Sequence, residues 1–259
     1  MAGQEESSRP HALDIYERVC EDTAEELGRP KGSIAFSGLF AGFTIGLAPL
    51  AVALVTIALG SDAKATTLIA ALAYPVGYVA VIVGRSQFFT ENTLYPVMLT
   101  LRRREYLNRT GLLWAIVYTT NLAGALLFAM LAVLTGALAE PVQAELVATG
   151  VDYTGGSFAD TFWSAVVTGF LLALIAWLVE AVDTVTGRIA VIWILAFLVS
   201  LGTFDHCIAT TVSGFSAMLD GELGVGELLG WLATTTLGNV LGGVLIVASI
   251  NYGQVREED

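Results

Sequence analysis

The sequence predicts an all-α polytopic membrane protein with six transmembrane helices. Its composition is 55% hydrophobic and only 14% charged, whereas soluble domains carry about 25% charged residues. Six apolar stretches are each long enough to cross a bilayer, which takes about 20 residues in a helix. These stretches cover residues 33–59, 66–101, 112–138, 158–182, 189–219 and 228–250.

The segment before the first span predicts a short amphipathic helix. Between residues 10 and 28, apolar side chains recur at three- and four-residue steps among acidic ones. Gly28 and Pro30 then end the helix. We expect residues 1–30 to form a cytoplasmic region whose helix lies under the first span or against a neighbouring subunit. A solvated, merely tethering helix is the alternative.

Small residues mark the contact faces of the uninterrupted spans. Gly38, Gly42 and Gly46 recur at four-residue steps in the first span, and the sixth span carries Gly238 and Gly242. Such steps allow two helix backbones to approach closely.

The second and fifth spans are each broken by a polar, glycine-containing segment. Residues 84–93 divide the second span and residues 202–211 divide the fifth. Two broken spans in corresponding positions of two halves indicate a site near the middle of the membrane. Irregular backbone at that depth is tolerated only where protein or water surrounds it.

The two halves of the chain match each other. Asn121-Leu-Ala-Gly in the third span resembles Asn239-Val-Leu-Gly in the sixth, 118 residues later. Because each half has three spans, the halves have opposite orientations in the membrane. The sequence therefore predicts a 3+3 inverted repeat with broken helices 2 and 5.

The basic residues predict the orientation in the membrane. Ten of the 12 Lys and Arg residues fall in the N-terminal segment and in connections on the same side. We expect a multi-pass protein of the plasma membrane with both termini cytoplasmic and residues 253–259 as a tail. Residues 139–157 have no Lys or Arg, and we expect them to form an outside loop.

The net charge of −12 bears on partners and habitat. No basic footprint for nucleic acid is present, so we predict no nucleic-acid partner. Acidic, lysine-poor surfaces suit a halophilic protein, since high salt screens the repulsion of like charges; ordinary solubilising tails are the alternative.

Cys20 and Cys207 are too far apart in the predicted topology for a disulfide, and neither a metal nor another cofactor is predicted.

Asp205 and His206 lie in the middle of the apolar fifth span. Ionisable residues at that depth cost several kcal/mol and usually face a pathway. Thr90 lies in what we take to be the equivalent position of the other break, so a hydroxyl and an imidazole are expected to face each other. Free backbone N–H groups at the breaks are expected to attract an anion. A satisfied structural histidine is the alternative for His206.

Other polar and aromatic residues flank the breaks. Arg85 and Glu91 form a charged pore mouth or an ion pair that pins the loop, with Glu180 as another partner for Arg85. Asn121 and Asn239 either cap the loop backbone or contact the substrate. Hydrophobic constrictions or ordinary packing are expected for the aromatic residues beside these polar groups, Phe88, Phe89 and Phe204.

The motifs around both breaks are similar to those of the formate/nitrite transporter family. The resemblance covers about residues 30–252, and the motifs occur in the same order. They are Phe89-Thr90 after the first break, Asp205-His206-Cys207-Ile208-Ala209 in the second, Asn121-Leu-Ala-Gly in the third span and Gly238-Asn239-Val-Leu-Gly-Gly in the sixth.

The resemblance implies a homopentamer of aquaporin-like protomers, each with its own pore for small monovalent anions such as formate, nitrite or hydrosulfide. The family's central histidine falls on His206, its loop threonine on Thr90 and its sixth-span asparagine on Asn239. We expect a channel or transporter, not an enzyme, in which the anion takes a proton relayed through His206 and crosses as the neutral acid. Its partners are then the anion, protons and membrane lipid.

Three departures indicate a less-characterised branch of that family. Thr210 stands where members usually have asparagine, and residues 85–88 read Arg-Ser-Gln-Phe where Gly-Ala-Asp is common. Residues 91–93, Glu-Asn-Thr, differ from the better-studied formate channels. These changes bear on the substrate more than on the fold.

The same residues bear on three alternative functions. A pore for a small neutral solute is disfavoured because paired Asn-Pro-Ala motifs are absent. An intramembrane serine protease using Ser213 or Ser216 with His206 lacks a Gly-x-Ser-x-Gly elbow. A non-transporting scaffold or sensor is the further alternative if Arg85 and Glu91 lock the pore.

Overall fold

A computed structural model describes residues 11–60 and 64–255, with Lys64 by its backbone only. All regular secondary structure in the described residues is helical. Its α-helices are α1 (Ala12–Glu26), α2 (Lys31–Thr44), α3 (Leu47–Leu59), α4 (Lys64–Ala73), α5 (Pro75–Val83), α6 (Tyr95–Arg102), α7 (Leu107–Leu134), α8 (Glu140–Thr154), α9 (Phe158–Glu180), α10 (Val185–Leu201), α11 (Ala209–Asp220), α12 (Val225–Leu241) and α13 (Ser249–Val255). Two 3₁₀ turns cover Glu91–Thr93 and Arg104–Tyr106, and a π-helical segment covers Gly242–Ala248.

The apolar helices agree with the predicted spans. Five helices of the described residues are long and apolar enough to cross a membrane: Lys31–Leu59, Ala65–Val83, Arg104–Leu134, Phe158–Glu180 and Val225–Val255. The remaining predicted span begins with the shorter apolar helix α10, because the break follows it. The polytopic all-helical prediction is confirmed.

Two close helix crossings hold the bundle together. α2 packs against α7, and α9 packs against α12. A Cβ on Gly42 of α2 would strike the backbone of Asn121, and a Cβ on Gly169 of α9 would strike that of Asn239. Glycine is therefore required at both crossings, as expected for close helix contacts.

The N-terminal amphipathic helix forms as predicted, but its position differs from the expectation. Ile15, Tyr16, Val19 and Cys20 are buried in one cluster with residues of α6, α9 and α13. α1 therefore packs under the second, fourth and sixth spans of its own chain rather than under the first. Residues 1–10 of the predicted N-terminal region lie outside the described residues.

Two connections differ from the sequence prediction. Residues 139–157 were expected to be a loop, yet they contain α8, which packs against α3 and α11. Its buried face, with Leu146 fully buried, and Pro141 in its first turn explain the helix. The predicted tail of residues 253–259 begins within α13, and residues 256–259 lie outside the described residues.

Candidate functional site

The two breaks begin with the same backbone conformation. Each begins with a glycine and a residue of positive φ, namely Arg85 (φ 53°) and Thr203 (φ 49°). The next residue then closes the helix, because Ser86 N–H donates to Val81 O at 3.1 Å and Phe204 N–H donates to Val199 O at 3.0 Å. These equivalent groups are 118 residues apart, the same interval that separates Asn121 from Asn239.

Asn121 holds the first break to α2. Its Oδ1 accepts from Phe89 N–H at 2.9 Å, while its Nδ2 donates to Gly38 O at 2.8 Å and to Gln87 O at 2.9 Å. All of the amide's donor and acceptor groups are therefore used by backbone.

Asn239 holds the second break to α9 in the same way. Its Oδ1 accepts from Cys207 N–H at 2.9 Å, and its Nδ2 donates to Ala165 O at 2.8 Å and to Asp205 O at 3.1 Å. The capping role that was one of the two predictions for both asparagines is confirmed.

His206 is fully buried between the two breaks, and its two ring nitrogens have different partners. Nδ1 accepts from Ala209 N–H at 2.7 Å and from Ile208 N–H at 3.2 Å, at the start of α11. Because a backbone N–H can only donate, Nδ1 carries no proton, and the proton of the neutral ring lies on Nε2. Nε2 lies 3.2 Å from Thr90 Oγ1, so the predicted meeting of hydroxyl and imidazole is present.

The internal repeat aligns His206 with Phe88 rather than with Thr90, since Phe88 lies 118 residues earlier. The predicted equivalence of Thr90 and His206 is therefore wrong by two residues, although the two side chains do meet. The Phe88 ring stacks on the imidazole with centroids 5.5 Å apart. One break supplies an aromatic ring and the other supplies an imidazole at the same place.

The free backbone donors expected at the breaks are largely occupied. Besides the bonds to His206 and the two asparagines, Gln87 N–H donates to Ser37 Oγ at 3.0 Å and Asp205 N–H donates to Ser164 Oγ at 2.9 Å. The Nε2–H group of His206, directed at Thr90 Oγ1, is therefore the side-chain donor at the meeting point of the two breaks.

Asp205 has its own partners and does not bond the His206 ring. Its Oδ1 accepts from Trp231 Nε1–H at 2.8 Å. The carboxyl is buried, and this bond together with the Asn239 bond to its backbone fixes the start of the second break. Thr210 acts on the same turn, because its Oγ1 accepts from His206 N–H at 3.2 Å.

A cavity of about 470 Å³ lies on the side of the breaks where α1 packs. Phe88 lines it, so this ring stands between the cavity and His206. The cavity wall carries five carboxylates and three guanidinium groups: Asp22, Glu25, Glu26, Glu91, Glu180, Arg29, Arg85 and Arg188.

Arg85 does not form the ion pair predicted for it. Its Nη2 lies 3.6 Å from Asp22 Oδ2 of α1, and no pair with Glu91 or Glu180 occurs among residues 11–60 and 64–255. The predicted partners, Glu91 and Glu180, are wrong because α1 was not expected to lie beside Arg85. The idea that an Arg85–Glu91 pair locks the pore loses its basis.

Phe89 packs against other aromatic residues. The centroid of its ring lies 4.8 Å from that of Tyr118 and 5.8 Å from that of Trp114. Phe204 is half-buried beside Gly202, and its two predicted roles, constriction and packing, both stay predictions. Phe88 lines the cavity and stacks on His206, where the predicted constriction would lie.

Tyr78 and Gln87 are site residues that sequence reasoning missed. Tyr78 is fully buried with its ring 5.9 Å from that of His206, and its hydroxyl lies 3.0 Å from that of Tyr74. Gln87 Nε2 donates to Glu26 Oε2 at 2.7 Å, which ties the first break to α1. The repeat offers a signal for Gln87, because it aligns with Asp205 at the 118-residue interval.

Two helix breaks that meet at a buried histidine in a polytopic helical bundle are typical of membrane transport proteins. A sequence model of the family described as Formate/nitrite transporter matches residues 13–253. The chain belongs to this family, whose members are channels and transporters.

Curated relatives cover most of the chain. The chain is 28% identical over 251 residues to "Inner membrane protein YfdC" of Escherichia coli (strain K12), which covers 95% of this chain and 80% of that protein. It is 29% identical over 260 residues to "Probable formate transporter" of Methanothermobacter thermautotrophicus, which covers 91% and 93%.

Solved structures share the fold. An "FNT family ion channel" has a TM-score of 0.83 at 18% identity, covering 93% of this chain and 99% of that one. A "Pentameric formate channel with formate bound" has a TM-score of 0.73 at 20% identity, covering 88% and 98%.

Proposed function

We propose that this protein passes small monovalent weak-acid anions, of the formate, nitrite and hydrosulfide class, through each protomer past His206. The single observation that carries the proposal is the buried His206–Thr90 pair, where Nε2 and Oγ1 are 3.2 Å apart next to a cavity. A relative named as a probable formate transporter and a structural neighbour that binds formate support the substrate class.

Crossing as the neutral acid explains the surroundings of His206. An isolated ion in an apolar environment costs far more free energy than a neutral polar molecule. Phe88 stands between the cavity and His206, so a hydrated ion loses its water there. A proton acquired beside His206 removes most of that cost.

The number of protons on the His206 ring limits how it can act as a proton relay. A neutral ring has one proton, on Nε2, and giving it to the anion would leave an imidazolate. Relay therefore requires a second proton on Nδ1, which must first lose its bonds from Ile208 and Ala209 N–H. We propose that the anion's charge drives this change and that water supplies the proton on Nδ1. The Nε2 proton then passes to the anion, which leaves a neutral ring with its proton on Nδ1. Proton exchange with water, in which Nδ1 loses a proton and Nε2 gains one, restores the starting tautomer. If His206 instead stays neutral, it serves only as a hydrogen-bond donor to the anion.

We further propose a homopentamer in the plasma membrane with both termini cytoplasmic and membrane lipid around it. The pentameric structural neighbour supports the assembly. The concentration of Lys and Arg on the side of the N-terminus supports the orientation.

Uptake into proteoliposomes tests the substrate class. We expect formate and nitrite uptake well above that of protein-free liposomes, rising when the outside is acidified, with little chloride or sulfate uptake. Stopped-flow swelling with glycerol serves as the control for a neutral-solute pore. Swelling without uptake of any weak acid would contradict the proposal.

A further inference from the structure

A second concave site lies at the end of the bundle where α2 and α7 begin. It is a groove of about 190 Å³, which we call the interfacial groove. Ile34 of α2 with Leu112 and Ile116 of α7 form its apolar wall, and Arg29, Lys31 and Arg109 supply three cations. The two helices that form it belong to apolar segments long enough to cross a membrane, so the groove opens where a bilayer's headgroups meet its acyl chains.

Two of the three cations of the groove have no ion-pair partner among the described residues, whereas Arg29 is paired with Glu26. The chain has 12 basic residues against 24 acidic ones, yet three cations meet here. Lys31 and Arg109 are exposed and have no ion-pair partner within the described ranges 11–60 and 64–255. Leu112 in the wall is 43% exposed, so apolar surface continues away from the charges.

We propose that the interfacial groove binds one anionic phospholipid from the leaflet on the side of α1. The headgroup phosphate lies between Lys31, Arg109 and Arg29, and an acyl chain lies along Leu112 and Ile116. Charge complementarity selects an anionic headgroup, since basic residues at a membrane surface attract such lipids. The apolar wall selects a lipid over a soluble phosphate. This inference is independent of which solute the protein transports.

The groove is connected to the first break through Arg29. Nη1 of Arg29 donates to Glu26 Oε2 at 2.8 Å, and the same oxygen accepts from Gln87 Nε2 at 2.7 Å. Arg29 lines both the groove and the cavity beside the breaks. A headgroup bound to Arg29 therefore holds the junction of α1 and α2 in place next to the transport site.

Native mass spectrometry of the full chain, titrated with phosphatidylglycerol or phosphatidylcholine, tests the inference. We expect retention of phosphatidylglycerol in preference to phosphatidylcholine. Replacing both Lys31 and Arg109 by Gln is expected to weaken phosphatidylglycerol binding about 25-fold, or about fivefold per cation. Replacing Arg103 and Arg104 by Gln is the matched control, because both are exposed at the same end and lie outside the groove; we expect less than a twofold change.

Hydrogen exchange supplies a second readout on the same variants. Phosphatidylglycerol is expected to slow deuterium uptake in residues 24–34 of the wild-type chain and of the control, and not in Lys31→Gln/Arg109→Gln. If Arg103→Gln/Arg104→Gln weakened phosphatidylglycerol binding as much as Lys31→Gln/Arg109→Gln, the lipid would be attracted to the basic surface in general, and the proposed site would be wrong. Equal binding of phosphatidylcholine and phosphatidylglycerol by the wild type would also overturn the proposal. Displacement of the lipid by glycerol 3-phosphate would overturn its assignment to a lipid.

Discussion

His206 uses Nδ1 to hold the helix start and directs Nε2 at Thr90. Nδ1 accepts two backbone N–H groups at the start of α11, as a helix-capping side chain does. Nε2 is left with its proton directed at Thr90. These bonds fix the orientation of the imidazole, and the proposed function uses the Nε2–H group.

Thr90→Val tests whether the hydroxyl belongs to the site. The valine has nearly the same shape but leaves the buried Nε2–H without an acceptor, which costs about 1–3 kcal/mol. We expect formate uptake in proteoliposomes to fall at least about tenfold, while Thr90→Ser keeps most of it. The two variants are compared at equal oligomer yield, and wild-type uptake by the valine variant would remove Thr90 from the site.

Asn121→Asp tests whether the hydrogen bonds of Asn121 hold the first break in place. The change replaces an NH₂ that donates to Gly38 O and Gln87 O by an oxygen that repels both. We expect a loss of about 1–3 kcal/mol for each unsatisfied carbonyl, seen as a lower thermal midpoint of the purified protein. Asn108→Asp is the matched control, because Asn108 is exposed on the same helix; equal effects of the two changes would contradict the clamp.

Sequence reasoning located these residues but not all of their bonds. His206, Thr90 and both asparagines are polar residues in apolar spans, and that contrast is readable without coordinates. The pairing of Arg85 with Asp22 was not readable, because it depends on where α1 folds back under the spans. Tyr78 was missed because a tyrosine in an apolar helix looks like ordinary core.

At the scale of elements, each close crossing positions the asparagine that holds one break. A Cβ on Gly42 would strike the backbone of Asn121, which clamps the first break. A Cβ on Gly169 would strike Asn239, which clamps the second. Helix contact and loop geometry therefore depend on the same two asparagines.

Gly42→Ala tests this dependence against Gly32→Ala in the same helix. The first change forces α2 and α7 apart, and overpacking of this kind costs about 1–3 kcal/mol. A Cβ on Gly32 meets nothing within 4 Å, so that change is expected to be neutral or to stabilise by up to about 1 kcal/mol. Thermal unfolding of both variants is the measurement, and a Gly42→Ala midpoint as high as that of Gly32→Ala would contradict the crossing.

Element boundaries were predicted well where the apolar segment was long, and poorly where it was short. The six apolar segments and both breaks were readable from hydropathy and glycine. α8 was not, because its 15 residues contain too few apolar positions to stand out from a polar connection. The depth at which α1 packs follows from tertiary contacts with α6, α9 and α13, which no local pattern encodes.

At the scale of the whole molecule, the protein carries a net charge of −12. Much of it lies on the exposed side of α1, where Glu17, Glu21 and Glu25 face solvent. Like charges in one helix repel each other, and salt shortens the range of that repulsion from about 8 Å at 0.15 M to about 3 Å at 1 M. We therefore expect the protein to be adapted to high salt.

Thermal unfolding in 0.15 M and 1 M KCl tests that adaptation. We expect the midpoint to rise with salt, because screening relieves the repulsion of the acidic surface. Replacing Glu17, Glu21 and Glu25 by Gln is expected to raise the midpoint at low salt and to reduce its dependence on salt. A midpoint that is unchanged or lower in 1 M KCl would favour ordinary solubilising segments.

The most direct measurement records formate uptake and proton uptake together in proteoliposomes, for the wild type, His206→Phe and His11→Phe. His11 is the other histidine of the chain and is exposed at the start of α1, so it is the matched control. We predict that the wild type and His11→Phe take up one proton with each formate, and that His206→Phe loses formate uptake together with its proton. Coupled uptake at the wild-type rate in His206→Phe would contradict a central role for His206.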